Sequence, residues 1–236
     1  MAVFVIFGPA STRQACGATV INDRYLLTAA HCIHSFKDQL DQMKVAFGGV
    51  SILEMVSKNQ VYEIQSFIVH PKYKHGADYH FHNDIALVKL KSPIADFGRK
   101  IVPVCIGGVD SSSVATAIGF GYNGDPYNGG QLMDKLQDAN LNILSTSNCR
   151  FYWPFSFKAD IQMCAGNSFV NSCTYDSGGP LINIVNGRDH QIGIVSHGGE
   201  DCGRISKSPT AFTRLSAYVD WIKRETQDDA KWCNTL

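Results

Sequence analysis

Apolar residues gather in short runs throughout the chain, at 3–7, 19–21, 25–28, 45–47, 61–69, 85–90, 137–143, 181–185 and 191–196, rich in Val, Ile, Phe and Tyr. Gly, Pro, Asn or Asp bounds each run, the pattern of antiparallel strands in a barrel or sandwich. The expected class is therefore all-β. One helix is expected, near the C-terminus over about 216–227, with Ser216 as its cap and Tyr218, Trp221 and Ile222 on one face. Lys223 and Arg224 fall in its last turn, where the helix dipole favours cations. A Gly- and Ser-rich stretch at 103–113 marks a boundary between two β units.

The chain has 236 residues, 44% hydrophobic and 18% charged, enough apolar material for one large core or two fused small ones. Basic and acidic residues balance at 21 each, so no long-range field favours nucleic acid or an anionic membrane surface. Eight cysteines spread from Cys16 to Cys233 without Cys-x-x-Cys spacing point to disulfides in an oxidising compartment, and so to a secreted, extracellular protein. The opening residues 1–8 are apolar but lack a basic leader and are too short for a signal peptide or a membrane span, so a mature or trimmed product is expected.

Three short motifs follow in order: Thr28-Ala29-Ala30-His31-Cys32, Asn83-Asp84-Ile85-Ala86-Leu87 and Asp176-Ser177-Gly178-Gly179-Pro180. A serine hydroxyl is a poor nucleophile until an adjacent base takes its proton, and imidazole has the pKa for that task near neutrality. The imidazole in turn needs a carboxylate to fix its tautomer and stabilise its protonated form. His31, Ser177 and Asp84 supply these three groups. The glycines after Ser177 permit a tight turn that exposes its hydroxyl, with the amides of Tyr175 and Ser177 as donors for an oxyanion.

These motifs, their order and their spacing resemble the chymotrypsin and trypsin family of serine endopeptidases. Cys16-Gly17, His70-Pro71, Gly119-Phe120-Gly121, Val195-Ser196 and Tyr218-Val219-Asp220-Trp221-Ile222 extend the resemblance over nearly the whole chain. It implies a single peptidase domain over 1–236, with one six-stranded antiparallel barrel at about 1–100, a second at about 114–213, and the active site in the cleft between them. It implies hydrolysis of protein or peptide substrates, susceptibility to protein inhibitors, and neither cofactor nor metal. It implies disulfides Cys16 with Cys32, Cys149 with Cys164, and Cys173 with Cys202. Cys105 matches a position that in relatives often bridges to a propeptide or light chain, and Cys233 has no common counterpart. The two pair with each other, or one bridges to a second chain. A further family bridge would join the positions of Ala115 and Asn183, and both halves are absent together.

The chain departs from the family pattern in several places. Active members begin with a free Ile-Val-Gly-Gly terminus that pairs with the Asp before the serine; the sequence carries no such segment, so Asp176 would be a buried charge without an ammonium partner and a zymogen-like state would follow. Tyr175 stands where the family nearly always has Gly. The expected specificity pocket is formed by Asn171 at its floor, with Ser172, Ser196, His197, Gly198 and Thr210. Asn171 offers no carboxylate for Lys or Arg, Thr210 replaces a Gly, and His197 replaces a Trp, which together imply a narrow pocket for small or medium uncharged side chains. The complete triad argues for an endopeptidase, and these departures argue for a catalytically silent homologue that binds or regulates. His75, His80 and His82 read as a solvated loop rather than a metal site. The loop 123–130, with Tyr122 and Tyr127 interleaved, reads either as a binding loop or as a flexible surface turn, and the aromatic cluster Phe151, Tyr152, Trp153, Phe155 and Phe157 as a partner or substrate patch if exposed and a local core if folded under.

Overall fold

The computed structural model describes residues 1–7, 12–35, 37–74, 81–107, 113–166, 170–198, 208–226 and 231–233. The first half supplies β1 (Ala2–Phe7), β2 (Thr12–Val20), β3 (Tyr25–Thr28), β4 (Met43–Phe47), β5 (Val61–Val69) and β6 (Ala86–Leu90). They close into an antiparallel barrel in the order β1-β2-β3-β6-β5-β4. Strands β1, β3 and β6 are almost wholly buried, whereas β5 keeps Glu63, Gln65, Ser66 and Val69 exposed. In β6 only Lys89 escapes burial, and Phe4, Tyr25, Leu27, Phe47 and Leu87 fill the core.

After a two-residue strand β7 (Cys105–Ile106), the second half supplies β8 (Val114–Gly119), β9 (Gln137–Ile143), β10 (Gln162–Gly166), β11 (Pro180–Val185), β12 (Arg188–His197) and β13 (Thr210–Arg214). The order β11-β8-β9-β10-β13-β12 returns on itself through the β11–β12 pairing, giving a second antiparallel barrel. β7 adds to its outside, parallel to β12 with Cys105 opposite His190. Leu141, Met163, Leu181, Ile192 and Phe212 form its core. The architecture is mostly β, with two six-stranded barrels.

Among the described residues, four short α-helices interrupt the strands: α1 (Ala30–Ser35), α2 (Ile52–Ser57), α3 (Thr146–Tyr152) and α4 (Val219–Glu225). The expected start of the terminal helix is corrected. Residues Leu215–Ala217 form a 3-10 turn closed by Tyr218 N–H donating to the Leu215 carbonyl, and α4 begins only at Val219. Ser216 does not cap it, because the Tyr218 backbone leaves the helical region at φ −123° while its ring packs edge-on against His70 at 5.2 Å. Trp221 and Ile222 do share the buried face, and they join the core of the first barrel.

Disulfides join Cys16 to Cys32 and Cys149 to Cys164. Of the two alternatives for Cys105 and Cys233, the structure shows the mutual pair, so the bridge from either to a propeptide or light chain is set aside. These two cysteines bond to each other across 128 residues, with Cα atoms 5.2 Å apart, because β7 and the segment 231–233 meet on the same flank. Cys173 is disulfide-bonded, and the partner implied for it, Cys202, lies outside the described residues. His75 and His80 lie outside them too. His82 is half-buried rather than solvated, its Nε2 lying 2.6 Å from the Ser156 carbonyl oxygen.

Candidate active site

The antiparallel pairing of β3 with β6 places Thr28 opposite Ala86. The residues that follow one strand and precede the other must then meet at the same barrel end. His31, in the first turn of α1, and Asp84, two residues before β6, are those residues. Asp84 is fully buried and accepts from the His31 backbone N–H at 2.8 Å through Oδ1, and from His31 Nδ1–H at 2.7 Å through Oδ2. An ionised carboxylate only accepts, so Nδ1 carries the hydrogen and Nε2 keeps a free lone pair. Ser196 Oγ–H donates to the same Oδ2 at 2.6 Å, and Thr213 Oγ1 donates to the Asp84 carbonyl at 2.8 Å.

Burial opposes charge on both partners. Against it, the Asp84 charge and hydrogen bond raise the His31 pKa above its ordinary 6.5. Burial alone would also raise Asp84, but the His31 charge and the donors from His31 and Ser196 hold its carboxyl below the usual carboxylate range. Cys16 and Cys32 lie beside His31, yet both sulfurs are spent in a disulfide, so the group offers no thiolate to a metal.

Ser177 comes from the second barrel. Gly178 adopts φ +81°, and a side chain there would strike Thr28 Oγ1 and the Gly17 carbonyl, so only glycine lets the two barrels close over this turn. The Gly17 N–H donates to the Ser177 carbonyl at 2.8 Å, stitching the serine to β2. Cys32 Sγ lies 3.8 Å from His31 Nε2 and 3.7 Å from the Ser177 carbonyl oxygen, so the serine and the imidazole share one cleft wall. Among the described residues, no hydrogen bond joins Ser177 Oγ to His31 Nε2, a contact that in such sites often tightens only once substrate is bound.

Before Ser177 the chain makes a turn from Cys173 to Asp176, closed by Asp176 N–H donating to the Cys173 carbonyl at 3.0 Å. Tyr175, its third residue, has φ +74°. A closed turn with positive φ at the third position alone is type II, which ordinarily takes Gly there. A bulky residue in this region costs roughly 1–2 kcal/mol. The Asp176 carboxylate turns inward and accepts from Gly121 N–H at 2.8 Å and Cys173 N–H at 2.9 Å. Side chains at 119 and 121 would collide with it, which accounts for the Gly119-Phe120-Gly121 string. Burial pushes the Asp176 pKa up to about 6 despite the two amides.

Residues 2–222 match the family described as Trypsin. The chain belongs to the trypsin family. It is 36% identical over 230 residues to venom serine protease 34 of Apis mellifera, which covers 92% of this chain and 53% of that protein. It is 30% identical over 247 residues to testisin of Homo sapiens, covering 93% and 74% respectively. The chain thus spans about half the length of the bee relative. Among solved structures it resembles neuropsin, a serine protease expressed in the limbic system of mouse brain, with a TM-score of 0.77 and 27% identity over 94% of this chain and 93% of that one.

In this trypsin-family chain two of the expected specificity residues, Asn171 and Ser172, line a cavity together with Asp176 and Val195. Asn171 Nδ2–H donates to the Ser208 carbonyl at 3.2 Å, so its amide is tied to the segment before β13. Ser172 and Thr210 hydroxyls are 2.7 Å apart, and a Cβ on Gly198 would face Thr210 Oγ1 at 3.8 Å. His197 lies between two aromatic rings, those of Phe81 and Trp153. Phe81 stacks on it at 5.2 Å, and Trp153 meets it edge-on at 5.5 Å. Phe81 also meets His31 edge-on at 5.4 Å, so it spans from the imidazole to this wall. Its place three residues before Asp84 was the available signal. The rest of the aromatic cluster divides: Phe155 is wholly exposed and Phe151 80% exposed, while Trp153 turns toward the cleft. Among the described residues, no helix is long and apolar enough to cross a membrane.

Proposed function

We propose that the chain is a serine endopeptidase domain that hydrolyses peptide bonds through an acyl-enzyme on Ser177, within an extracellular proteolytic pathway, on protein substrates and under protein inhibitors. The observation that carries this reading is the buried Asp84 holding His31 Nδ1 at 2.7 Å, with Cys32 Sγ 3.8 Å from His31 Nε2 and 3.7 Å from the Ser177 carbonyl oxygen. Ser177 Oγ attacks the carbonyl carbon as its proton passes to His31 Nε2. The amides of Tyr175 and Ser177 receive the oxyanion, and loss of one such donor costs about 3–4 kcal/mol of transition-state stabilisation. His31 then gives its proton to the leaving nitrogen, the C–N bond breaks, and a water activated by the same Nε2 releases the acid.

The uncharged amide of Asn171 and the Ser172–Thr210 hydroxyl pair favour small or medium uncharged side chains before the scissile bond. Turnover of a peptide-ester library by the folded chain, lost in Ser177→Ala, tests the chemistry. A library in which Arg is the preferred residue contradicts the specificity.

One observation favours the second reading, a silent protease homologue that binds or regulates. Among the described residues, the buried Asp176 carboxylate is met by two backbone amides and by no cation. Tight association with a protein partner that is unchanged in Ser177→Ala, together with absence of turnover, distinguishes that reading from the first.

A further inference from the structure

Tyr175 is strained where the family has glycine, and its ring is not loose. It stacks on Tyr122 with centroids 5.9 Å apart and planes 23° apart. Tyr122 belongs to a braced hairpin: it bridges Leu132, and Asn123 N–H donates to the Gln131 carbonyl at 3.0 Å. Gln131 N–H in turn donates to Asn123 Oδ1 at 2.8 Å. The same hairpin grips the turn from below, with Tyr122 N–H donating to the Thr174 carbonyl at 3.1 Å and Gly121 N–H to Asp176 at 2.8 Å. The backbone thus fixes both flanks of the Thr174–Tyr175 peptide, and the ring pair fixes its side chain.

We infer that Tyr122 is a positioning residue for the oxyanion-binding amide, acting through its stack on Tyr175. The inference rests on the acyl-enzyme reading of Ser177. A four-residue turn has two common states of similar closure, type I and type II, which differ by reversal of the central peptide. For a tyrosine at the third position, type I removes the positive φ and is intrinsically preferred. That reversal swings the Tyr175 N–H away from the side it faces in type II and puts the Thr174 carbonyl there. The Thr174 carbonyl accepting from Tyr122 N–H opposes it, and the stacked rings hold the Tyr175 Cα–Cβ direction that only positive φ provides. The turn is a two-state element, and Tyr122 biases it toward the competent state.

A double-mutant cycle tests this. Tyr122→Ala is expected to lower kcat roughly 5- to 30-fold, the equilibrium factor of the strain it exposes, with KM nearly unchanged. Tyr122→Phe keeps the ring and is expected to keep kcat. In a Tyr175→Gly background, where positive φ needs no support, Tyr122→Ala is expected to change kcat less than about twofold. An equal loss in both backgrounds indicates a merely structural role for Tyr122 and overturns the inference, as does an unchanged kcat in the Tyr122→Ala single variant. The sign of φ at residue 175, read from one-bond Cα–Hα couplings in the intact chain, needs no catalysis. It should be positive in the wild type and in Tyr122→Phe, and shift negative in Tyr122→Ala. Unchanged couplings in Tyr122→Ala refute the positioning role even if the chain turns over no substrate, whereas the shift without any turnover refutes the acyl-enzyme reading alone.

Discussion

Ser196 Oγ donates to Asp84 Oδ2 at 2.6 Å, the same oxygen that holds His31 Nδ1 at 2.7 Å. The serine comes from the end of β12 in the second barrel and the aspartate from the segment just before β6 in the first, so the bond fastens the barrels together at the imidazole. With the Thr213 hydroxyl on the Asp84 carbonyl, the second barrel supplies two donors to one buried residue. A charge without water requires such donors, and they leave the carboxylate no freedom to rotate away from His31.

Asp84→Asn should keep the fold and lose the chemistry. An amide turned with its NH2 toward Nδ1 forces the hydrogen to Nε2, which then cannot accept the serine proton. A fall in kcat of about 10⁴-fold is expected near neutral pH, measured alongside unchanged circular dichroism.

His31 must be neutral to act as base, and its pKa is raised above 6.5. The acid limb of kcat/KM should therefore lie above pH 6.5, with activity rising as pH rises through it. Its stabilising pairing with Asp84 runs the other way: the His31 contribution is fully present below 6.5 and lost as pH climbs through the folded pKa. A pH–rate profile with its acid limb centred below 6.5 would contradict the site electrostatics.

Asp176 has a folded pKa of about 6 against an ordinary 3.8. The folded state holds this proton more tightly, so the group's contribution to stability is greatest below about pH 3.8 and declines as pH rises to about 6. Denaturation midpoints of wild type and Asp176→Asn, compared from pH 4 to pH 8, should diverge in favour of the variant as pH rises. A constant difference across that range is the contrary result.

Asn171→Asp places a carboxylate beside Ser172 and Thr210. Cleavage after Lys or Arg should rise at least about tenfold in the variant relative to the wild type, as the pocket gains a charge partner. Unchanged selectivity would remove residue 171 from the pocket floor.

Much of the fold was legible because strands such as β3, β5 and β9 carry Val, Ile, Leu or Tyr between turn residues. β8 and β10 were not, since Val-Ala-Thr-Ala-Ile-Gly and Gln-Met-Cys-Ala-Gly fill a narrow barrel interior with small or weakly β-forming residues. Helix α2 carries a local signal: Ser51 and Glu54 have the spacing of a capping box, and Ser51 Oγ accepts from Glu54 N–H at 3.1 Å. The motif strings locate His31, Asp84 and Ser177 in the sequence, but the Tyr122–Tyr175 stack and the Phe81–His197–Trp153 wall join residues far apart in the chain with no local pattern. Such contacts follow from how the loops fold over the barrels.

The central claim is that Ser177 is made nucleophilic by His31. Reaction of the folded wild-type chain with a peptidyl phosphonate, followed by peptide mass spectrometry, reads this directly. The account predicts a single adduct on Ser177, absent in Ser177→Ala and suppressed in the wild type as His31 becomes protonated at acid pH. A folded chain that gains no adduct at pH 8, or gains one equally in Ser177→Ala, contradicts it.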